Sequence, residues 1–404
     1  MAGLMIGERL RELRKSSSYT QDDLAAAADV SVDVIRKLEQ GRRHTASIGT
    51  LHRIARALDV DIAELLGRPR TTLAAGEDQA RVGAIRDVLT SVEDLLGELD
   101  GADAAPDLTE LSRAVTYAWG ARWAGRYGPL AAMLPRLLAE AAAATHGATA
   151  TGVGRAADLA SQVHQITAEI LLDLGALDLG YVAAREALRL AALTPDPLRA
   201  AATRSTLGHV LIRQGRFVDA ERVYVTTAEG LQPSGEVSTP HLSVYGGVLL
   251  GGATAAAREG RAGAASDLLA EATAVARRTG MDRTDYEIVF GPSCVVMQSV
   301  DCSLVTEDYV AAAELARTMP RDSALPLVSR SRHLVDVAHA QLRLGHDRAA
   351  ESALLTMERM APDWTSHHQL PRVLVGELMT RGRSSVRLRD LAQRLNATAG
   401  VSRP

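Results

Sequence analysis

The sequence predicts an all-α protein, and three observations support this fold class. Alanine, leucine and arginine are abundant among the 404 residues and aromatic residues make up only 3%, a composition that favours helices. Runs of alternating β-branched residues are few, so a large sheet is not expected. Apolar residues recur at helical spacing, and many of the helices are joined by glycine-containing turns. We expect an N-terminal domain at residues 1–67, a linker and amphipathic helix at 68–107, and an α-solenoid at 108–404.

Five short helices are predicted in the N-terminal domain. The first begins near Ile6 and carries its apolar residues on one face. Thr20, Ser31 and Ser47 are suited to cap the second, third and fourth helices, because their side-chain oxygens accept from free backbone N–H groups. Gly41 is suited to end the third helix. The second to fifth helices are predicted at residues 21–28, 32–40, 48–58 and 61–66.

Residues 6–67 resemble the lambda-repressor-like (XRE) helix-turn-helix family, and two stretches carry the resemblance. They are YTQDDLAAAADVSVDVIRKLEQGRR and TLHRIARALDVDIAELLG. Ala25 lies where two helices of that fold cross closely, and Ile35 and Leu38 face its core. The chain departs from the family at Asp29, where glycine is usual, and in a loop one residue longer before the fourth helix. Aspartate tolerates the left-handed conformation better than most residues, so the turn should still form.

The resemblance implies that the third helix enters the major groove of double-stranded DNA at an operator. The positions that face bases are then Val32, Asp33, Arg36 and Lys37. The positions that contact phosphates, and so orient the domain without reading sequence, are Gln21, Arg42 and Arg43. Arg14 and Glu39 match a family ion pair that braces the first helix against the third. The alternative for the base-facing side chains is an ordinary solvated helix face.

The segment after the N-terminal domain is predicted to be a short linker, residues 68–78, followed by an amphipathic helix, residues 79–99. Eight apolar residues from Val82 to Leu99 recur at helical spacing. The stretch DGADAAPD, residues 100–107, ends the helix. Its apolar face either contacts a second copy of the chain or packs on the C-terminal domain, and we favour the second interpretation.

From Leu108 onward one unit recurs, which consists of a helix, a tight turn and a shorter helix rich in alanine. The turns lie at or near Gly125, Gly175, Gly215, Gly260, Asp308 and Gly345. Alanines that allow the paired helices to pack closely are Ala183, Ala220, Ala265, Ala312 and Ala350. A further pair at residues 364–381 and 386–395 closes the array.

This pattern resembles tetratricopeptide repeats. The best match is LGHVLIRQGRFVDAERVYVTTAEGLQP, residues 207–233, with Gly208, Phe217, Ala220 and a closing Pro233. The other units run longer than the family's usual repeat of roughly 34 residues. The resemblance implies a solenoid whose first helices line a concave surface suited to an extended or small ligand.

The segment FGPSCVVMQSVD, residues 290–301, stands apart from the repeats. Together with RHLVDVAHAQ and ERMAPD it resembles the C-terminal region of actinobacterial XRE–tetratricopeptide regulators. A Gly-Pro pair breaks a helix. The segment therefore either lines a cavity or forms a plain turn between repeats.

Charge is distributed unevenly along the chain. Residues 1–70 carry 12 Lys/Arg and 10 Asp/Glu, a net charge of +2, whereas residues 71–404 carry 33 and 39, a net charge of −6. A basic head on an acidic body suits a nucleic-acid-binding head.

Signals for catalysis, metals and membranes are weak. Neither lysine follows a glycine, so a GK[ST] phosphate loop is lacking, and no HExxH motif occurs. His367-His368 is interpreted as a surface pair, and Cys294 and Cys302 either as structural residues or as a thiol switch.

The longest uncharged stretch, residues 237–257, is interpreted as a packing helix rather than a membrane span. We expect a cytoplasmic non-enzyme without cofactor or metal, and no signal peptide is recognised.

The leading functional hypothesis is a homodimeric transcriptional regulator that binds an operator and senses a peptide or small-molecule effector. A binding pocket needs a few polar groups on an apolar lining. The candidates on the first helices of the repeats are Arg122, His164, His209, Tyr245, Gln298 and Arg332. The alternative is an interaction scaffold whose helix-turn-helix head serves for protein contact.

Overall fold

The protein was analysed as a computed structural model that describes residues 6–17, 19–41, 46, 48–58, 60, 65, 74–92, 107–149, 152–381, 385–395 and 397. Helices dominate these residues, and the predicted all-α fold class is confirmed. The one addition within the described ranges is a small β-hairpin.

Four helices are described in the N-terminal domain: α1 (Ile6–Ser16), α2 (Gln21–Ala27), α3 (Val32–Glu39) and α4 (Ile48–Ala57). The Thr20 side chain caps α2 and exchanges hydrogen bonds with Asp23 in a capping box, and Ser31 caps α3. Buried apolar residues of all four helices, with Leu65, form one core. The predicted cap Ser47 and most of the predicted fifth helix lie outside the described residues.

Helix α5 (Ala74–Leu89) begins inside the stretch that was predicted to be a linker. Alanines favour the helix at this end, and the acidic Glu77 and Asp78 both pair with Arg81 one turn later. The apolar residues Val82 and Ile85 are buried in the same core as the solenoid. The start of the predicted apolar face therefore packs on the chain's own C-terminal part, whereas Val92 is exposed and residues 93–106 lie outside the described residues.

The solenoid consists of six antiparallel helix pairs and a C-terminal cap. The pairs are α6 (Leu108–Trp123) with α7 (Tyr127–His146), α8 (Val153–Asp173) with α9 (Leu177–Ala191), α10 (Pro197–Arg213) with α11 (Phe217–Leu231), α12 (Thr239–Glu259) with α13 (Ala262–Thr279), α14 (Pro292–Val305) with α15 (Tyr309–Ala316), and α16 (Leu327–Arg343) with α17 (Asp347–Met360).

The turn inside each pair has one residue in the left-handed region, as predicted from the glycines. Gly125, Gly175, Gly215, Gly260 and Gly345 have φ between 68° and 87°. In the fifth pair the residue is Glu307, with φ 63°, next to the predicted Asp308. Glycine pays no steric cost in this conformation. The five alanines expected to allow close packing are all buried.

The first helices of the pairs pack side by side and form an inner layer, while the second helices pack mainly against first helices on the outside. The two ends of the array also meet. The Tyr127 backbone N–H donates to Asp363 Oδ2 over 3.2 Å, and one core contains residues of both the first two and the last pairs. The array therefore closes on itself.

The C-terminal cap differs from the prediction of one helix at residues 364–381. It is split into α18 (Pro362–His367) and α19 (Gln369–Thr380), which are followed by α20 (Val386–Arg394). His368 between them is extended, with φ −101° and ψ 137°. Pro371 lacks an N–H and cannot continue an earlier helix, so it sits in the first turn of a new one.

A β-hairpin joins α13 to α14, and the sequence analysis did not predict it. Its strands are β1 (Arg283–Asp285) and β2 (Ile288–Phe290), paired antiparallel with Asp285 opposite Ile288. Ile288 and Phe290 pack on α12 where that helix has glycine: a Cβ on Gly246 would lie 2.1 Å from Phe290 Cζ. Because no side chain stands at this point of the inner layer, the hairpin seats directly on the helix backbone.

The contact between the hairpin and the inner layer gives a first prediction. Gly246→Ala should lower the free energy of unfolding by about 1–3 kcal/mol, because the added methyl group overpacks a filled core. Urea unfolding followed by circular dichroism measures it. Gly263→Ala is the control, since nothing lies within 4 Å of a Cβ there. Equal stability of the two variants would contradict the tight seating of Phe290.

Candidate nucleic-acid interface and candidate effector region

Helix α3 has one face in the core and the other in solvent. Ile35 and Leu38 are fully buried, whereas Asp33, Arg36 and Lys37 are exposed. Val32, at the start of the helix, is half-buried. The Ser31 hydroxyl accepts from the Val34 backbone N–H over 3.4 Å and fixes this end. The four residues predicted to face bases therefore lie on the first two turns of a helix with a free outer side.

The turn between α2 and α3 sets the angle of α3. Asp29 has φ 50°, so it adopts the left-handed conformation expected where the family has glycine. The Val30 backbone N–H donates to Ala25 O over 3.0 Å and closes the turn. Ala25 itself is buried at 2% exposure.

A buried carboxylate braces α3 from behind. Arg14 donates to both Glu39 oxygens, over 2.6 Å and 3.0 Å, and the Gln21 amide donates to Glu39 Oε2 over 2.8 Å. Burial alone raises the pKa of Glu39, but the hydrogen bonds from Arg14 and Gln21 and the charge of Arg11 bring it below its ordinary value. The ionised carboxylate thus joins α1, α2 and α3.

Of the residues predicted to contact DNA, Gln21 and Lys37 already have partners within the chain. Gln21 lies at the start of α2 with its amide turned toward Glu39. Lys37 pairs with Asp33 over 2.6 Å on the exposed face; such surface pairs are weak, so both side chains are available to other partners. Arg42 and Arg43 lie outside the described residues.

All six effector candidates lie on first helices of the solenoid, and two of them meet at one carboxylate. Arg122 Nη2 is 3.4 Å and His209 Nδ1 is 3.1 Å from Glu169 Oε2. Arg122 also donates to the Tyr127 hydroxyl over 3.0 Å and pairs with Asp173. Burial raises the pKa of Glu169, but His209 and Arg122 overcome this and lower it to about 2. This Glu169 network links the first three helix pairs.

Two other candidates, Gln298 and Arg332, meet at a second buried carboxylate. Asp301 accepts from both terminal nitrogens of Arg258, over 2.9 Å and 3.0 Å, and from Gln298 Nε2 over 3.0 Å. Arg332 Nη2 lies 3.4 Å from Asp301. This Asp301 network links the fourth, fifth and sixth pairs.

Asp336 is buried beside the Asp301 network, and its Oδ2 has no hydrogen-bond partner. Burial and the charge of Asp301 raise the pKa of Asp336 to about 7, against the opposite effect of Arg332 and Arg258. A buried carboxyl in this position is most stable when it keeps its proton.

The last two candidates stand apart from both networks. The Tyr245 hydroxyl donates to Glu271, and His164 is half-buried on α8, where its charge acts on Glu186. The structure thus brings four of the six candidates together in two pairs, and leaves Tyr245 and His164 separate.

A cleft that the sequence analysis missed lies at the tip of the hairpin. Its volume is about 450 Å³, and its lining includes Asp158, Asp196, Arg199, Tyr286 and Glu287. None of the six predicted effector residues lines it. The tip residues Tyr286 and Glu287 follow no helical or strand period that would have singled them out.

His367 and His368, interpreted from sequence as a surface pair, are partly buried. His368 stacks on Trp364 with ring centroids 3.9 Å apart and lies 3.6 Å from Asp173, because the break between α18 and α19 turns it inward. Cys294 and Cys302 are both buried, and burial raises the pKa of each thiol to about 12. Both thiols are therefore poor nucleophiles.

The described residues contain no group of three or more His, Cys, Asp or Glu side chains placed to hold a metal ion. Within the same ranges, no helix combines the length and apolar character that a membrane crossing requires.

The geometry defines a class of protein: a helix-turn-helix head, with α3 presented to solvent, followed by a tetratricopeptide-like solenoid. A helix-turn-helix domain family matches residues 6–67. The HTH-type transcriptional regulator SinR of Bacillus subtilis (strain 168) is 31% identical over 88 residues, which span 22% of this chain and 79% of that protein. RghRB of the same organism, an uncharacterized HTH-type transcriptional regulator, is 35% identical over 81 residues, or 20% of this chain and 54% of RghRB. The chain belongs to the XRE-type helix-turn-helix transcriptional regulators, which bind DNA.

Solved structures align over more of the chain. Bacillus thuringiensis PlcR in complex with the peptide PapR7 and DNA covers 78% of this chain and 94% of its own, at 10% identity and a TM-score of 0.33. The apo competence regulator ComR from Streptococcus vestibularis covers 82% and 98%, at 14% identity and a TM-score of 0.28. These scores are too low to support an inference about this chain's ligand.

The brace behind α3 gives a second prediction. Glu39→Gln should lower the stability of the head by about 1–3 kcal/mol, because the partly buried Arg14 loses its charged partner. Thermal unfolding of the full chain measures it. Glu12→Gln is the matched control, since the Arg9–Glu12 pair is solvent-exposed and surface pairs contribute little. If both variants unfold like the wild type, Glu39 does not brace the head.

Asp336 gives a third prediction, on pH. The folded chain holds this proton up to about pH 7, whereas the unfolded chain releases it near the ordinary value of 3.8. Asp336 therefore makes wild-type stability fall as pH rises between these values. Asp336→Asn removes this dependence, so its stability relative to wild type should rise from pH 4 to pH 8 by at least about 1.4 kcal/mol, the equivalent of one pKa unit.

Urea unfolding at several pH values measures the effect of Asp336→Asn. The control is Asp267→Asn, a change of the same kind at an exposed position of α13. An Asp336→Asn curve parallel to wild type at all pH values would show that Asp336 is ionised in the folded protein at neutral pH.

Proposed function

We propose that this protein is a sequence-specific, effector-responsive transcriptional regulator whose α3 reads the major groove of an operator. The observation that carries the proposal is the arrangement of α3. Its inner face is fixed by Ile35, Leu38 and the Glu39 brace, and its outer face presents Asp33, Arg36 and Lys37. A rigid helix with polar groups on the open side of its first turns has the form that base readout requires.

The solenoid is the proposed sensor of a peptide or small molecule. Its inner layer holds paired charges, the Glu169 and Asp301 networks, each of which joins three consecutive helix pairs. A ligand that binds one arrangement of these helices better than another shifts the population of the two. The tightly linked inner layer supports such a response, since a shift of one helix changes the partners of the next.

We further propose that the protein acts as a homodimer and that the solenoid provides the contact. One α3 presents few base-contacting side chains, and proteins of this kind commonly bind two half-sites about 10 bp apart or a multiple of that spacing. Val82 and Ile85 of α5 are buried on the same chain, so this part of the helix is covered.

The proposed reading of DNA is tested with two double variants. Arg36→Ala/Lys37→Ala should lose about 1–3 kcal/mol of discrimination per base contact. Arg42→Ala/Arg43→Ala should weaken binding to all sequences about equally and reduce the dependence of affinity on salt. The measurement is a salt titration of binding to DNA from upstream of its own gene and to an unrelated duplex.

The same titrations separate the proposal from its alternative. Wild-type affinity for both double variants would mean that α3 does not lie in the groove. If the wild type itself does not prefer its upstream DNA, the chain is an interaction scaffold and the head serves for protein contact.

Sedimentation of the specific complex should show two chains per operator, and one chain would contradict the homodimer.

A further inference from the structure

The tip of the β-hairpin is held in an unusual backbone conformation. Tyr286 and Glu287 have φ 52° and 64°. A two-residue turn with both φ values positive ordinarily uses asparagine or glycine, because other side chains are strained there. Such strain persists only where surrounding contacts enforce it, and it concentrates at ligand clamps and switch regions.

Two hydrogen bonds enforce the conformation from opposite sides. The Tyr286 hydroxyl donates to Asp196 Oδ2 over 2.7 Å, and the Trp123 indole N–H donates to Glu287 Oε2 over 2.7 Å. Asp196 caps α10 and Trp123 ends α6, so the tip bridges two first helices. Two glycines would close the hairpin with less strain, but they would lack the side chains of Tyr286 and Glu287. The strained turn therefore keeps the two hydrogen bonds to the first helices.

The cleft beside the tip carries an excess of negative charge. Three carboxylates line it, Asp158, Asp196 and Glu287, against one guanidinium, that of Arg199. Burial raises the pKa of Glu287, against the opposite effects of the Trp123 hydrogen bond and the charge of Arg199. A ligand with a positive group would be attracted to these carboxylates.

Arg199 is a second, independent feature of the cleft. Its side chain is 8% exposed, and Nε donates to Asp158 Oδ1 over 2.7 Å. The guanidinium lies over the Tyr286 ring, 5.1 Å from its centroid, while Nη1 is buried without a hydrogen-bond partner. A guanidinium carries five N–H donors, and buried donors are ordinarily satisfied. Arg199, which lines this cleft, therefore has an unused donor.

We propose that the cleft binds a ligand with an α-ammonium group next to a carbonyl oxygen, as in a free amino acid or the amino end of a peptide. The ammonium donates to the carboxylates at the hairpin tip, and the carbonyl oxygen accepts from Arg199. A bare cation would leave Arg199 unsatisfied, and an anion would be repelled by three carboxylates. A volume of about 450 Å³ falls in the range of small-molecule pockets.

This assignment rests on the proposed sensing function and gives it a location. The ligand would contact Asp196 and Glu287, the two carboxylates that hold the hairpin tip. Strand β2, which follows the tip, packs on Gly246 and Gly247 of α12 through Phe290 and Ile288. The hairpin thereby links a ligand in the cleft to the inner layer.

The test uses the full-length chain and three probe mixtures: random-sequence tripeptides with free amino ends, the same tripeptides N-acetylated, and the twenty free amino acids. Native mass spectrometry detects bound probe. Binding of free-ended tripeptides alone identifies a peptide amino end, and binding of amino acids identifies a free amino acid. N-acetylation, which removes the charge, should abolish binding.

Two variants locate the site. Glu287→Gln and Asp196→Asn each keep an acceptor oxygen for the hairpin, but remove a charge, and each should weaken binding at least about tenfold. Asp267→Asn on the exposed face of α13 is the control and should bind like wild type. The assignment is overturned if no free-amino probe binds, if acetylated tripeptides bind equally, or if both variants retain wild-type affinity. DNA binding by the same preparation is measured in parallel, so that its loss, which would refute the regulator proposal, is distinguished from loss of the ligand site.

Discussion

The left-handed residue in the turn of each helix pair is the constraint on which the rest of the solenoid depends. It reverses the chain within a few residues, so the two helices of a pair lie antiparallel and cross at buried alanines such as Ala183 and Ala220. Repetition of this turn places every first helix in the inner layer. Since the first helices then have neighbours on both sides, their polar side chains are taken out of water and must find partners in adjacent repeats.

The Glu169 and Asp301 networks are the outcome of that requirement. Each places a carboxylate on the central helix of three, with a partner from the helix on either side: Arg122 and His209 for Glu169, and Arg258 and Arg332 for Asp301. Replacing one member leaves a buried charge without its partner, which costs more than the pair contributes when intact. Paired charges of this kind therefore favour one choice of neighbouring helices.

The head and the cleft illustrate two different uses of a buried or half-buried charge. Glu39 accepts hydrogen bonds from Arg14 and Gln21 and holds α3 in place, which suits the proposed contact of this helix with base edges. Arg199 is held by Asp158 at one nitrogen but has an unsatisfied Nη1. Glu39, whose hydrogen bonds are satisfied, positions a helix. Arg199, which has an unused donor, can still bind a ligand.

Much of the fold followed from the sequence because local chemistry determines it. The caps at Thr20 and Ser31, the left-handed Asp29 and the glycine turns are each set by a few neighbouring residues, and the motif around α3 indicated the same family that the comparisons show. The partners of Arg122, His209 and Arg332, the inward turn of His368 and the seating of the hairpin on Gly246 were decided only by tertiary structure. These contacts join residues about 30 or more positions apart, and the way helices cross in three dimensions, which no sequence period encodes, determines which side chains meet.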